Sequence, residues 1–391
     1  MPSAEKRLHS VLVKPAGPDC NLNCSYCFYL NKAKLFQSIK KHRMPIEVLK
    51  EMIRQVMVKG GSDLFFVWQG GEPTLMGLPF FRKAVEFQKK YGHNQSVGNG
   101  LQTNGLLVDR KWARCFKTYN FLIGLSIDGP EHIHNRYRIK CGGKGSWRQV
   151  MDSATLLLDS GVAVNALTVL TDYSADFPEE IYHFHKSVGL LHMQFIPCVE
   201  PASYDPAQIA PFSISPEKYG QFLCTLFDLW CADFKNGQPS TSIRYFDSVF
   251  YSYVGMTAPE CTLLRECGNY LVIEHNGDVY SCDFFVENQW KLGNVMKERL
   301  HAMLNSARQN QFGKAKAAIT AGCKKCQWLL FCWGGCSKDR RNNPQNNEDN
   351  YFCRSYKMFF AHADARLRTM AKTWKWEQQM AQLQQEGFKI K

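Results

Sequence analysis

Between residues 10 and 200, short apolar runs alternate with stretches whose apolar positions recur at helical spacing. Val11–Lys14, Leu64–Trp68, Val97–Gln102, Phe121–Ser126, Val164–Leu170 and His192–Pro197 read as strands. The intervening segments, roughly 46–59, 79–91, 109–117, 147–160 and 177–187, read as amphipathic helices. About six strand–helix repeats imply parallel strands with crossover helices, in either an open sheet or a partial barrel. Polar residues gather where the strands end: Gln69-Gly70-Gly71-Glu72, Gln102-Thr103-Asn104, Ser126-Ile127-Asp128 and Gln194. Each alone is ordinary turn chemistry, but that edge is where α/β folds bind ligands, and together beside a cysteine cluster they point to a site.

After Pro201 the pattern changes. A Pro-rich loop precedes one long helical stretch near 215–235, and cysteines and turn residues then crowd the chain from Cys261 to Cys353. So little apolar periodicity suits a region held by metal more than by a core. The polar stretch 341–350 reads as an exposed loop, and the basic residues from Arg366 onward read as a docking helix carrying Trp374 and Trp376. These boundaries divide the chain into a core of 1–250 with its connecting helix, a cysteine-rich domain of 251–360 and a helical tail of 361–391.

Length changes this picture little, since 391 residues suit one large domain plus a smaller one. No apolar run reaches a membrane span and the start, MPSAEKRLHS, lacks a signal-peptide core, so a cytoplasmic protein with reduced thiols is expected. Sixteen cysteines then read as metal ligands before disulfides. A net charge of +13 is compatible with nucleic acid and equally with an acidic electron-transfer protein. No RNA-binding module is present, so neither nucleic acid nor membrane is an expected partner.

The first cluster, Cys20-x3-Cys24-x2-Cys27, comes directly after the first strand. Three thiolates in a tight loop can hold three irons of a cubane cluster and leave the fourth without a protein ligand. Structural zinc instead prefers four closed ligands. The second region runs Cys261-x5-Cys267-x14-Cys282, then Cys323-x2-Cys326-x5-Cys332-x3-Cys336, and ends at Cys353. Eight cysteines make two sets of four, enough for two further cubane clusters or, on ligand number alone, two zinc ions. Cys115, Cys141, Cys198, Cys224 and Cys231 have no ligand spacing, and His132, His134, His183 and His185 find no partner that completes a metal site.

The Cys20–Cys27 loop resembles the radical S-adenosylmethionine (SAM) signature, and Gly70-Gly71-Glu72-Pro73 resembles the GGEP motif of that superfamily. The spacing of the second region resembles the SPASM domain. Along CNLNCSYCFYL, WQGGEPTL, LQTNG, GLSIDGP, HMQFIP, EHNGDVYSCDFFV and LGN, the chain is similar to the anaerobic sulfatase-maturating enzymes. That resemblance implies a partial (β/α)6 radical SAM barrel, a small SPASM domain and a C-terminal helix. It implies SAM and three [4Fe-4S] clusters as cofactors. Cys20, Cys24 and Cys27 would hold the SAM-binding cluster, Cys261, Cys267, Cys282 and Cys336 one auxiliary cluster, and Cys323, Cys326, Cys332 and Cys353 the other. Tyr26, Gly71, Ser126, Arg138 and Val199 match SAM contacts, with Arg136 as the neighbouring alternative to Arg138.

The implied reaction oxidises an active-site Cys or Ser of a sulfatase to Cα-formylglycine without oxygen. A 5′-deoxyadenosyl radical takes a hydrogen from the substrate Cβ, a base removes the thiol or hydroxyl proton, and the electron leaves through an auxiliary cluster. Asp283, next to Cys282, matches the base. The implied partners are a sulfatase polypeptide and an acidic electron donor such as a flavodoxin or ferredoxin. Two other readings remain: a SPASM maturase that crosslinks another ribosomal peptide, and a non-catalytic iron–sulfur carrier. The carrier has no use for an open three-cysteine site or for GGEP.

Overall fold

A computed structural model of the chain describes residues 5–36, 40–202, 205, 207–346 and 348–385. The last six residues of the expected tail and position 347 of the polar loop lie outside them. In chain order, strand β1 (Leu8–Lys14) leads to α1 (Ile46–Lys59), β2 (Gly60–Trp68), α2 (Leu78–Tyr91), β3 (Ser96–Thr103), α3 (Arg110–Thr118) and β4 (Phe121–Ser126). Then come α4 (Glu131–Tyr137), α5 (Trp147–Asp159), β5 (Ala163–Leu170), α6 (Pro178–Ser187) and β6 (His192–Pro197). The expected strand–helix alternation is present. It gains the short α4, which has too few turns to register as periodicity, and β2 starts four residues earlier than its apolar run.

Local chemistry explains the elements. The last four residues of β1 are buried, as in a parallel strand covered on both faces. On α1, Val48, Leu49, Met52, Ile53 and Val56 form the apolar face, with Pro45 before the helix and Gly60 after it. Asp109 caps α3 by accepting the Lys111 and Trp112 amides at 2.8 and 2.9 Å.

The chain forms two compact units. The first comprises Met1–Val169, His183–Leu191 and Cys267–Ala315. It contains three further strands that turn chemistry concealed: β8 (Leu271–Glu274), β9 (Asp278–Tyr280) and β10 (Lys291–Asn294). The sheet of this unit runs β10-β9-β8-β1-β2-β3-β4-β5. β8 lies parallel to β1, with Lys14 opposite Glu274, while β9 and β10 return antiparallel. This pairing sets the ends of β8, β1 and β2 side by side.

In the second unit β6 pairs in parallel with β7 (Ser242–Ile243). Its core joins α7 (Pro216–Ala232), α8 (Arg244–Val254) and a 33-residue C-terminal helix (Cys353–Gln385). The Phe227, Phe246 and Phe359 rings lie 5.3–5.7 Å apart. At Gly220 a Cβ would stand 2.7 Å from Met358 Sδ, so glycine lets α7 and the C-terminal helix approach closely. That helix begins at Cys353, thirteen residues before the basic stretch that marks it in sequence. Of its two tryptophans, Trp374 packs edge-on to Phe250 and Trp376 is 60% exposed. Among the described residues no helix is long and apolar enough to cross a membrane.

Candidate active site

The loop after β1 is held by its own backbone. Gly17, Asp19 and Cys27 donate to the carbonyls of Lys14, Ala16 and Cys24 at 3.0–3.1 Å. Folded this way, Cys20, Cys24 and Cys27 are near enough that a charge on one opposes a charge on another. Burial pushes the Cys20 and Cys24 thiols up to about 12. Thiolates there require a cation that displaces their protons, which is what a metal centre supplies. Three thiols supplied by one short loop are the donor set of a cubane cluster that keeps one iron open, so the loop fits an iron–sulfur group.

Gly71 is there for the loop's sake. A Cβ at this position would lie 2.0 Å from the Asp19 carbonyl oxygen, so glycine permits the segment after β2 to press against the cysteine loop. The Gly71 and Glu72 amides bond the Gly17 and Asp19 carbonyls, both at 2.8 Å. Buried Glu72 accepts from Thr74 N, Thr74 Oγ1 and Thr103 Oγ1 through Oε1, and from Asn104 N through Oε2. Burial raises its carboxyl above the ordinary range. The GGEP glutamate thus fastens the ends of β2 and β3 to Asp19, the residue before the first cysteine.

Tyr26 is buried and donates to Asp128 Oδ2 at 2.6 Å. Arg138 grips the same carboxylate with Nε at 2.9 Å and Nη2 at 3.0 Å. Asp128 also accepts the Val169 amide at 3.0 Å. Ser126 Oγ accepts from Gln102 Nε2 at 2.9 Å. Tyr26, Gly71, Ser126 and Arg138 accordingly share the first unit. Val199 lies buried in the second, its carbonyl bonded to Asn342 Nδ2 at 2.9 Å.

His134 and His185 are buried hydrogen-bonded residues, with Ser146 and Thr168 at 2.9 and 3.0 Å. Burial lowers them to about 3 and about 4. The folded state keeps both neutral while the unfolded chain protonates them below its ordinary pKa of 6.5. Their stabilisation is therefore present above pH 6.5 and lost as pH falls toward 4 and 3. Each contributes about 1.4 kcal/mol per pH unit within that window. His134→Gln should flatten the pH slope of the unfolding free energy, measured by anaerobic urea titration between pH 6 and 5, by about one such increment. An unchanged slope contradicts the buried neutral histidine.

Asp283 succeeds Cys282 in a 3-10 turn beyond β9. Lys14 Nζ forms an ion pair with its Oδ1, and Gln69 Nε2 donates to its Oδ2 at 2.7 Å. The Lys14 side chain is 1% exposed and that of Asp283 13%, so only the carboxylate is reachable. Lys14 Nζ also stands 3.5 Å from the Tyr29 ring centroid, and Tyr29 donates to Glu274. Burial first, and Glu274 next, push the Tyr29 hydroxyl well above its ordinary value. Lys14, Gln69 and Glu274 are the residues that end or succeed β1, β2 and β8. Nothing in the sequence marks Lys14 or Glu274 for a role. Gln69 and Asp128 lie in polar strand-end groups with no role apparent from sequence.

In the second unit Cys323, Cys326, Cys332 and Cys353 line one cavity of about 520 Å³. Burial pushes the Cys332 thiol up to about 11, with Cys326, Cys323 and Cys353 adding to the effect. The short turn before Cys336 is left-handed at three successive residues, Trp333, Gly334 and Gly335. Arg340 Nε donates to the Gly334 carbonyl and Nη2 to that of Trp333, both at 3.0 Å. In the same unit Lys316 donates to the Cys261 and Thr262 carbonyls at 2.7 and 3.0 Å. Cys267 and Cys282 belong to the first unit, where Tyr270 Oη lies 3.6 Å from Cys282 Sγ.

Comparison with known proteins agrees with this geometry. The family profile of the radical SAM superfamily matches residues 15–185, and that of SPASM, an iron–sulfur cluster-binding domain, matches 261–327. The chain is 39% identical over 369 residues to a serine-type anaerobic sulfatase-maturating enzyme of Bacteroides thetaiotaomicron, covering 90% of this chain and 88% of that one. It is 38% identical over 365 residues to a cysteine-type enzyme of Clostridium perfringens strain 13, covering 93% and 98%. The structure of native anSMEcpe with bound AdoMet and Cp18Cys peptide superposes with a TM-score of 0.87 at 37% identity, over 94% of this chain and 99% of that one. Streptococcus suis SuiB bound to its precursor peptide SuiA shares the fold, with a TM-score of 0.62 at 15% identity over 90% of this chain and 76% of that one.

Proposed function

The chain belongs to the anaerobic sulfatase-maturating enzymes of the radical SAM superfamily, and from that premise we propose that Asp283 is the base of its reaction. The chain is a radical SAM oxidoreductase that converts an active-site Cys or Ser of a sulfatase to Cα-formylglycine without oxygen. Cys20, Cys24 and Cys27 hold the first [4Fe-4S] cluster, with Tyr26, Gly71, Ser126, Arg138 and Val199 as its SAM contacts. Cys261, Cys267, Cys282 and Cys336 hold one auxiliary cluster, and Cys323, Cys326, Cys332 and Cys353 the other, three in all. When bound, SAM and these clusters supply hydrogen abstraction and the outlet for the second electron.

The observation that carries the proposal is the Asp283 environment. A base must be ionised, held and reachable. Lys14 compensates the charge from a site closed to water, Gln69 fixes the second oxygen, and one carboxylate face stays open. Substrate loses a hydrogen atom from Cβ, a proton to Asp283 and one electron, which accounts for the two-electron oxidation; a Ser substrate becomes the aldehyde directly, and a Cys substrate becomes a thioaldehyde that water hydrolyses with release of sulfide. The net charge of +13 supports an acidic flavodoxin or ferredoxin as donor, and cysteines that serve as cluster ligands suit a reducing, cytoplasmic setting.

The test is anaerobic incubation of reconstituted protein with SAM, a reductant and peptides containing C-x-P-x-R or S-x-P-x-R, and then mass spectrometry. The expected product carries an aldehyde in place of the thiol or hydroxyl. A product that has only lost two hydrogens into a ring identifies a crosslinking maturase instead.

A further inference from the structure

We propose that Asn104 sets the reduction potential of the first cluster by donating its side-chain N–H to the sulfur of Cys20. This rests on the assignment of Cys20 as a cluster ligand. Asn104 Nδ2 lies 3.6 Å from Cys20 Sγ and 2.7 Å from Asn21 Oδ1. Its oxygen is already committed, because the Leu106 amide donates to Oδ1 at 3.0 Å. The amide therefore has one orientation: its oxygen faces the next turn of chain and its two protons face two acceptors, one of them the sulfur.

The residue is buried and cannot swing away. Its backbone amide is tied to Glu72 Oε2 at 2.8 Å, and the Glu72 amide to the Asp19 carbonyl at 2.8 Å. A closed chain of bonds thus runs from the residue before Cys20, through Glu72 and Asn104, back to Cys20. The Leu22 amide, 3.4 Å from the same sulfur, is a second donor, but it belongs to the loop backbone. Asn104 is the donor that sequence can vary. Reduction adds negative charge to the cluster sulfurs, and an N–H dipole aimed at one of them favours the reduced form, so its loss lowers the potential. Asn104 is a positioning residue in this scheme, since it acts through Cys20.

The test is an anaerobic redox titration of the full-length three-cluster protein, tracking the part of the EPR signal that SAM alters, so that only the first cluster is counted. Asn104→Ala should shift its reduction equilibrium at least tenfold toward the oxidised form, which for one electron is about 59 mV. Asn21→Ala removes the neighbouring clip but keeps the donor, and should shift the equilibrium less than a third as far. Equal shifts in both variants, or none in Asn104→Ala, overturn the proposal. A fold-independent check uses unmutated protein with 15N confined to asparagine side chains. The reduced first cluster should show a 15N coupling by pulsed EPR, and its absence overturns the proposal. A SAM-sensitive signal that survives Cys20→Ala overturns the ligand assignment as well; its loss there, with a normal Asn104→Ala titration, overturns this inference alone.

Discussion

Asp283→Asn should go on cleaving SAM while formylglycine formation falls at least about a hundredfold, the range of a lost general base. The amide has the carboxylate's shape and can still accept from Gln69, so the site keeps its outline. Two things change. The proton acceptor is gone, and Lys14 becomes a buried ammonium that has lost its countercharge. Breaking a buried pair costs about 3–5 kcal/mol, so the variant should also melt lower. The two effects separate cleanly, because SAM cleavage needs the folded first site and not the base. Deoxyadenosine should accumulate without product. A variant that oxidises a sulfatase peptide at the wild-type rate removes Asp283 from the mechanism.

Cys24→Ala should abolish SAM cleavage and peptide oxidation together. Cys24 is the most enclosed thiol of the loop, facing Cys20, Cys27 and the Arg138 charge. With two thiols left, the loop offers too few ligands to hold a cubane cluster with one open iron. Iron content should drop by one cluster's complement while the auxiliary clusters remain, because the eight cysteines proposed to hold them are untouched. Retained SAM cleavage contradicts the assignment of this loop. The pair of variants therefore divides the reaction: Cys24→Ala loses radical generation, whereas Asp283→Asn keeps it and loses substrate deprotonation.

The sequence singles out those two residues for different reasons. The cysteine loop is a local device, and three thiols within eight residues declare it. Asp283 needed the family resemblance, since an Asp after a Cys is otherwise common turn chemistry. The surroundings of Asp283 were not legible. Lys14 ends a legible strand, but nothing in the sequence shows that it is closed off with β8 beside β1. Tyr29 and Glu274, which meet beneath it, are 245 positions apart in the chain. No periodicity reports such a pairing, and β8 to β10 are too short and too rich in turn residues to stand out as strands.

The same limit explains the remaining differences. Asp128 lies two residues past a legible strand, but the three groups that bond its carboxylate, Tyr26, Arg138 and the Val169 amide, come from separate segments. The first turns of the C-terminal helix are hidden by Cys353 and by charged residues on its exposed side, although Phe359, Phe360, Ala363 and Leu367 form a buried helical stripe. The strand–helix alternation was plain throughout because each repeat buries its own apolar face. Spacing within one loop or one helix can be read directly; adjacency set by sheet order cannot.

Behind both variants stands one requirement: an iron near the amino terminus that no protein sulfur claims. The measurement closest to it is metal analysis of anaerobically isolated protein joined to EPR of the dithionite-reduced sample, before and after SAM is added. Iron and sulfide sufficient for three clusters, with one signal that changes shape on SAM addition, is the predicted result. Zinc in place of iron, or a spectrum indifferent to SAM, contradicts it.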